Sequence, residues 1–83
     1  MERSEIVEKI QKIFRMVLKQ NSLVLTDELT AADVDGWDSL THIVLITEIE
    51  TAFSIKFKLK DLNKMKNVGI CIDIVKTKLE EQL

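Results

Sequence analysis

The residues best able to do chemistry fall in one stretch, Asp35-Gly36-Trp37-Asp38-Ser39-Leu40-Thr41-His42-Ile43. An acidic run ends at Gly36, and the apolar residues from Leu40 onward fall at helical spacing. Ser39 is therefore expected at the exposed N-terminus of a helix. Such an end carries free backbone N–H groups and a partial positive charge, so it can hold a phosphate attached to the serine hydroxyl. Ser and Asp are also ordinary helix caps, and on helix-start statistics alone Asp38 and Ser39 need no further role. His42 follows three residues later and would neighbour Ser39 on a helix. A Ser–His hydrolase would also need an orienting third group, an oxyanion turn and room for a substrate, and the sequence supplies none of these at evident spacing. An exposed or interfacial histidine is the simpler reading.

Other reactive types are sparse. Cys71 is the single cysteine, so no internal disulfide and no cysteine-rich zinc cage can form. It sits among Ile70, Ile72 and Ile74 and reads as a small core residue. Asp33, Asp35 and Asp38 lack the spacing and the closing glutamate of a calcium loop, so an intrinsic metal site is not expected. Trp37, the single tryptophan, reads either as a loop anchor packed on the core or as an exposed contact for a partner, with the anchor favoured because a lone aromatic commonly buries its face.

Positioning these residues falls to a few amphipathic segments. Residues 4–19 place Ile6, Ile10, Ile13, Phe14 and Val17 at helical spacing, with Ser4 as the expected N-cap. Residues 20–37 break that period with Asn21, Ser22, Thr26, Asp27, Thr30, Asp33, Asp35 and Gly36, which is loop chemistry. Leu25 and Leu29 are expected to anchor this long loop. Residues 39–53 form a second helix by the spacing of Leu40, Ile43, Ile46, Ile49 and Phe53, with Asp38 or Ser39 as cap. Ile43, Ile46, Ile49 and Phe53 are its expected core stripe. Beyond it, Ile55-Lys56-Phe57-Lys58-Leu59 alternates as a strand would, and so do Val68, Ile70, Ile72 and Ile74. Val68, Cys71, Ile72, Val75 and Leu79 equally fit one helical face, and residues 76–83 favour helix. Gly69 and the β-branched residues weaken that helix. Periodicity gives helix a modest edge, with an α+β hairpin as the rival.

Composition narrows the function classes. Eighty-three residues predict one domain, spanning 1–83, with a thin core and little volume for a closed catalytic pocket. A hydrophobic fraction of 46% is too high for a disordered tail. The longest apolar run, Ile43–Ile46, is far too short to span a bilayer. The charged Met1-Glu2-Arg3-Ser4-Glu5 start lacks the apolar stretch of a signal peptide, and a cytoplasmic location is expected. Between Lys19 and Lys56 there is no Lys or Arg, while Asp27, Glu28, Asp33, Asp35, Asp38, Glu48 and Glu50 all fall there. The next eleven residues hold Lys56, Lys58, Lys60, Lys64 and Lys66 against Asp61. This polarity implies charged protein partners, and the acidic half disfavours nucleic acid.

Gly36-Trp37-Asp38-Ser39-Leu40 resembles the attachment motif of acyl carrier proteins, whose core is Asp-Ser-Leu. The resemblance covers nearly the whole chain: a first amphipathic helix, a long loop, the motif, then an Ile/Leu/Val-rich helix ending in Glu48-Ile49-Glu50-Thr51-Ala52-Phe53. Leu62, Met65 and Val68 fit the apolar positions of the short and last helices that follow. The resemblance implies an all-α fold, a small four-helix bundle of three longer helices and one short, with a long loop after the first. It implies that Ser39 is esterified with 4'-phosphopantetheine, drawn from coenzyme A by a separate phosphopantetheinyl transferase, and that the arm's thiol carries acyl groups as thioesters. Asp38 would shape the helix start and dock the transferase, and Leu40 would be a partly exposed contact for it. The domain would be a non-catalytic monomeric carrier serving acyl-loading and acyl-transferring enzymes, with no membrane or nucleic-acid partner.

The family usually presents an acidic second helix to basic patches on its enzymes. Here Thr41, Val44 and Thr51 stand where acids are frequent in fatty-acid carriers, and the following segment is rich in lysine. Leu40, Val44, Thr47 and Thr51 form a mildly apolar stripe, with Glu48 beside it, as the expected partner-binding face. The pattern favours a carrier in a specialised pathway, such as polyketide, nonribosomal or glycan-acylation chemistry, over a housekeeping one, with fatty-acid synthesis as the remaining alternative. The alternative from another class is a helical interaction module with no prosthetic group, in which Leu40, Val44 and the lysines bind a partner.

Overall fold

A computed structural model of the chain describes residues 1–82. Four helices make up its regular structure: α1 (Arg3–Leu18), α2 (Ser39–Phe53), α3 (Leu59–Lys64) and α4 (Val68–Glu81), with one turn of 3-10 helix at Ala31–Asp33. The fold is all-α, with three longer helices and one short. No strand occurs among the described residues, so the helical reading of the C-terminal half is the correct one. Leu83, the end of the 76–83 stretch read as helical, lies outside the described residues.

Helix α1 forms because Ile6, Ile10, Ile13, Phe14 and Leu18 recur on one face, all buried. Its N-cap is Glu2, not Ser4. The Glu2 N–H donates to the Glu5 carboxylate at 3.1 Å, and the Glu2 carbonyl accepts from the Glu5 and Ile6 N–H groups. Glutamate can close this ring from the third helical position, which starts the helix two residues earlier than the serine reading expected. Lys19 ends the helix in the left-handed region at φ 55°.

α1 packs against both α2 and α4, and the core lies between the three. Ile6, Ile10, Leu45, Ile49, Val68, Ile72 and Val75 are its most deeply buried members. Burial of each such side chain contributes about 1.5–3 kcal/mol relative to leaving it in water. Cys71 joins this cluster, as its apolar neighbours implied, and burial pushes its thiol up to about 12. It is therefore a packing residue and not a nucleophile.

The long loop is held at several points. Leu25 and Val34 are buried, and Leu29 packs partly against the cluster. The Leu25 N–H donates to the Gln11 side chain at 2.9 Å, and Arg15 Nε donates to the Leu23 carbonyl at 2.7 Å. At its middle the loop meets the first turn of α4. There the Val68 N–H donates to the Leu29 carbonyl and the Gly69 N–H to the Asp27 carbonyl, both at 2.9 Å. A Cβ on Gly69 would stand 2.9 Å from Asp27 Cβ and 3.0 Å from the Asp27 carbonyl oxygen. Gly69 is thus the residue that lets loop and helix touch. Sequence reading took it only as a weak point of the helix.

Residues 55–58 have no regular structure and pair with no strand among the described residues; Ile55 is buried and Phe57 partly so. α3 follows, capped by the Lys58 N–H donating to Asp61 Oδ2 at 2.8 Å. Asp61 is buried and also accepts from Lys78 Nζ at 2.9 Å, which ties α3 to α4. The Lys58 N–H bond, then the Lys78 ammonium, hold its carboxyl below the usual range.

Candidate functional site

The start of α2 is built by a polar ring. Asp38, in extended conformation, is the N-cap, and its Oδ1 accepts from the Leu40 and Thr41 N–H groups at 3.0 Å each. Thr41 Oγ1 accepts from the Asp38 N–H at 2.8 Å and donates to the Gly36 carbonyl at 2.7 Å. This is a capping box with threonine in the position where glutamate is usual. Gly36 turns the chain into the cap at φ +86°, a region that only glycine enters at little cost. The Thr41 N–H bond, above all, keeps the Asp38 carboxyl below its ordinary range.

Ser39, the first residue of the helix, is exposed. Of the N–H groups at this helix start, Leu40 and Thr41 are taken by the Asp38 side chain and His42 by the Asp38 carbonyl at 2.8 Å. The N–H of Ser39 itself is not among those the cap engages. Lys66 adds a cation to the lining of the cleft beside Ser39.

That cleft has a volume of about 520 Å³ and is walled by Ala31, Trp37, Asp38, Ser39, His42, Met65 and Lys66. Trp37 is the anchor its sequence suggested: half-buried, edge-on to Phe14 with ring centroids 5.0 Å apart. Its indole N–H donates to His42 Nδ1 at 3.1 Å, and the two rings lie 21° from parallel. His42 is thus not simply exposed. It is half-buried and is the acceptor that satisfies the only tryptophan. Burial holds its pKa below the usual value. With Nδ1 accepting, the neutral ring carries its proton on Nε2, so the lone pair a general base needs is already taken. The arrangement displays a hydroxyl without activating it.

The remaining predicted site residues follow along α2. Leu40 is 76% exposed and Val44 46%, with Thr47 and Thr51 exposed and Glu48 half-buried. Leu45, Ile49 and Phe53 enter the core, and Ile46 is buried beside it. Ile43, read as part of the core stripe, is 64% exposed. It lies four residues after Ser39 and three after Leu40, so it shares their face. That spacing was legible, but apolarity drew the residue inward in the sequence reading. Met65 and Lys66 were missed as site residues, because nothing local in the sequence says that the α3–α4 connection returns to Ser39.

A small all-helical domain that exposes one serine at the capped start of its second helix is built to present a group rather than to transform one. The chain is 31% identical over 77 residues to an acyl carrier protein of Thermotoga maritima, a match covering 93% of this chain and 95% of the relative. The solution structure of a holo acyl carrier protein from Geobacter metallireducens superposes with a TM-score of 0.87 at 45% identity, over 92% of this chain and 87% of that one. No family model matches the chain. The chain belongs to the acyl carrier protein family. It is a non-catalytic carrier, in keeping with the inert serine and histidine.

Proposed function

We propose that Ser39 Oγ is the attachment point of 4'-phosphopantetheine and that the chain, one domain over residues 1–83, carries acyl intermediates for a specialised biosynthetic pathway. The observation that carries this reading is the exposed Ser39 hydroxyl at the first position of α2, inside an Asp-Ser-Leu motif whose aspartate is committed to the cap. The residues around it fit such a group. The hydroxyl is open to a transferase, Lys66 supplies a cation for a phosphodiester, and Trp37 and Met65 give the cleft apolar wall. Bound there, the group supplies a terminal thiol that holds acyl chains as thioesters.

The chain's own residues then do three things. Asp38 and Thr41 fix the turn so that Ser39 is held outward. The buried Cys71, its thiol suppressed, cannot compete for the thioester. Leu40, Val44, Thr47, Glu48 and Thr51 offer a face to the phosphopantetheinyl transferase and to acyl-loading and acyl-transferring enzymes. A tether at Ser39 raises the effective concentration of cargo at each partner. The lack of an exposed acidic row on this face supports a dedicated pathway over fatty-acid synthesis.

Intact-mass measurement after incubation with coenzyme A and a broad-specificity phosphopantetheinyl transferase tests the reading. The chain should gain one arm, and Ser39→Ala should gain none. An unmodified wild-type chain, or a modified Ser39→Ala, would refute it.

A further inference from the structure

The exposed face of α2 is more apolar than its sequence indicates. Leu40, Ile43 and Val44 stand in solvent over its first two turns. Thr47 and Thr51 extend the face, and their hydroxyls are turned back onto the helix: Thr47 Oγ1 donates to the Ile43 carbonyl at 2.9 Å and Thr51 Oγ1 to the Thr47 carbonyl at 3.0 Å. Each threonine therefore leaves its methyl for a partner. The two acids of the helix are only half-exposed. Glu48 is half-buried, and Glu50 Oε2 is engaged by the Phe57 N–H at 2.8 Å.

Lysines stand at both ends of this face. Lys66 shares the cleft at the start of α2 with Ser39 and with Asp38, whose carboxylate is taken by two backbone N–H groups; Lys56 shares a second hollow at its end with Thr47, Thr51, Ser54 and the bonded Glu50. Lys58, Lys60 and Lys64 are exposed on the segment between them. Asp61, the segment's one acid, is buried and paired with Lys78, and of the exposed lysines only Lys60 interacts with its charge.

From this we infer that the enzymes served by this carrier dock on it through an apolar centre that covers Leu40, Ile43 and Val44, rimmed by carboxylates that meet Lys56 and Lys66. The inference rests on the carrier reading above. The polarity is the reverse of a basic enzyme patch meeting an acidic helix. Opposed charges at the rim accelerate encounter, and like charges there exclude wrong partners. The carrier would thereby be insulated from enzymes whose docking faces are basic.

The test uses the full-length chain in its holo form, verified by intact mass, and two versions of one fatty-acid condensing enzyme. One keeps its basic docking face, and the other has those Lys and Arg residues changed to Glu. Calorimetry should show about tenfold tighter binding to the charge-reversed enzyme at low salt. The preference should fade at 1 M salt, where charges are screened beyond about 3 Å. Lys56→Glu with Lys66→Glu should invert it, and Lys56→Glu alone, far from Ser39, should weaken it. Equal or tighter binding to the basic enzyme, or binding to neither, overturns the inference while leaving the carrier reading intact. Dimerisation of the free chain in sedimentation, abolished by Ile43→Lys, would show that a second copy covers the face and would also overturn it. Failure to form the holo protein refutes the carrier reading instead.

Discussion

Protonating His42 should loosen the start of α2, and the chain is built so that this can be measured cleanly. It contains one histidine, one tryptophan and no tyrosine, so Trp37 fluorescence reports on a single pair of rings. The indole N–H bond to Nδ1 needs the neutral imidazole, because the imidazolium has no lone pair to accept with. Burial holds the folded-state pKa of His42 below its ordinary 6.5. Below pH 6.5 the unfolded chain therefore binds more protons than the folded one. Stability falls as the pH drops from 6.5 through the folded pKa and levels off beneath it. A bond of this kind between neutral partners contributes about 0.5–1.5 kcal/mol. In a domain of this size a loss of 1 kcal/mol lowers Tm by about 4–8 °C. His42→Ala should show that loss at pH 8, and His42→Phe should recover the ring contact without the acceptor. A pH titration of Trp37 fluorescence should give a midpoint below 6.5 that vanishes in both variants. A phosphodiester on Ser39 would place a negative charge in the same cleft, so the holo midpoint should lie above the apo one. A midpoint at or above 6.5 in the apo protein, or a transition that survives loss of the histidine, refutes the reasoning.

Three further outcomes follow from the same geometry. Thr41→Val removes the acceptor of the Asp38 N–H and the donor to Gly36, which should cost about 0.5–1.5 kcal/mol and speed amide exchange in the first turn of α2; unchanged exchange there would count against the capping box. Gly69→Ala forces the Asp27 backbone away from α4 and should destabilise by about 1–3 kcal/mol in urea melts, where a neutral result would show that the contact is not tight. The carboxyls of Asp38 and Asp61 are both held below 3.8, so their stabilisation is full above that pH and is lost as pH falls through their folded values. Far-ultraviolet circular dichroism between pH 5 and pH 2 should show helix loss, shallower in Asp61→Asn; a signal that is flat over that range would remove both carboxylates from the account.

Local patterns were legible where one force acted alone. The face of α1 from Ile6 to Leu18 and that of α4 from Val68 to Val75 could be read because burial dictates their spacing. Ser39 could be read because Gly36 and Asp38 mark a helix start within a few residues of it. Reading failed where two parts of the chain far apart in sequence meet. Gly69 looked like a helix breaker, since nothing near it in sequence shows that Asp27 lies against it. His42 looked unattached for another reason: its partner Trp37 is only five residues away, but the sequence does not give the turn at the Asp38 cap that brings the indole onto the imidazole. The alternation at 55–59 suggested a strand, but Ile55 and Phe57 pack as single anchors in an irregular link, and among the described residues no strand lies beside them.

The misplacement of Ile43 bears on the whole of α2. Apolar residues occur around most of this helix, so no clean amphipathic stripe separates inside from outside. A helix apolar on all sides is ordinarily buried on all sides. Here Leu45, Ile49 and Phe53 meet the core, while Leu40, Ile43 and Val44 face water on the turns nearest Ser39. Exposed apolar area of this kind contributes nothing to folding and raises the risk of association. Its position beside the serine makes sense if it is covered in turn by each enzyme that handles the cargo. An interaction that must form and break repeatedly needs an apolar centre small enough to release and a charged rim to set the partner. Replacing Ile43 by Ser should therefore leave Tm nearly unchanged, since the side chain is mostly in water already, while weakening capture by every acyl-handling partner. A Tm drop of the 4–8 °C expected for a 1 kcal/mol core loss would instead return Ile43 to the core.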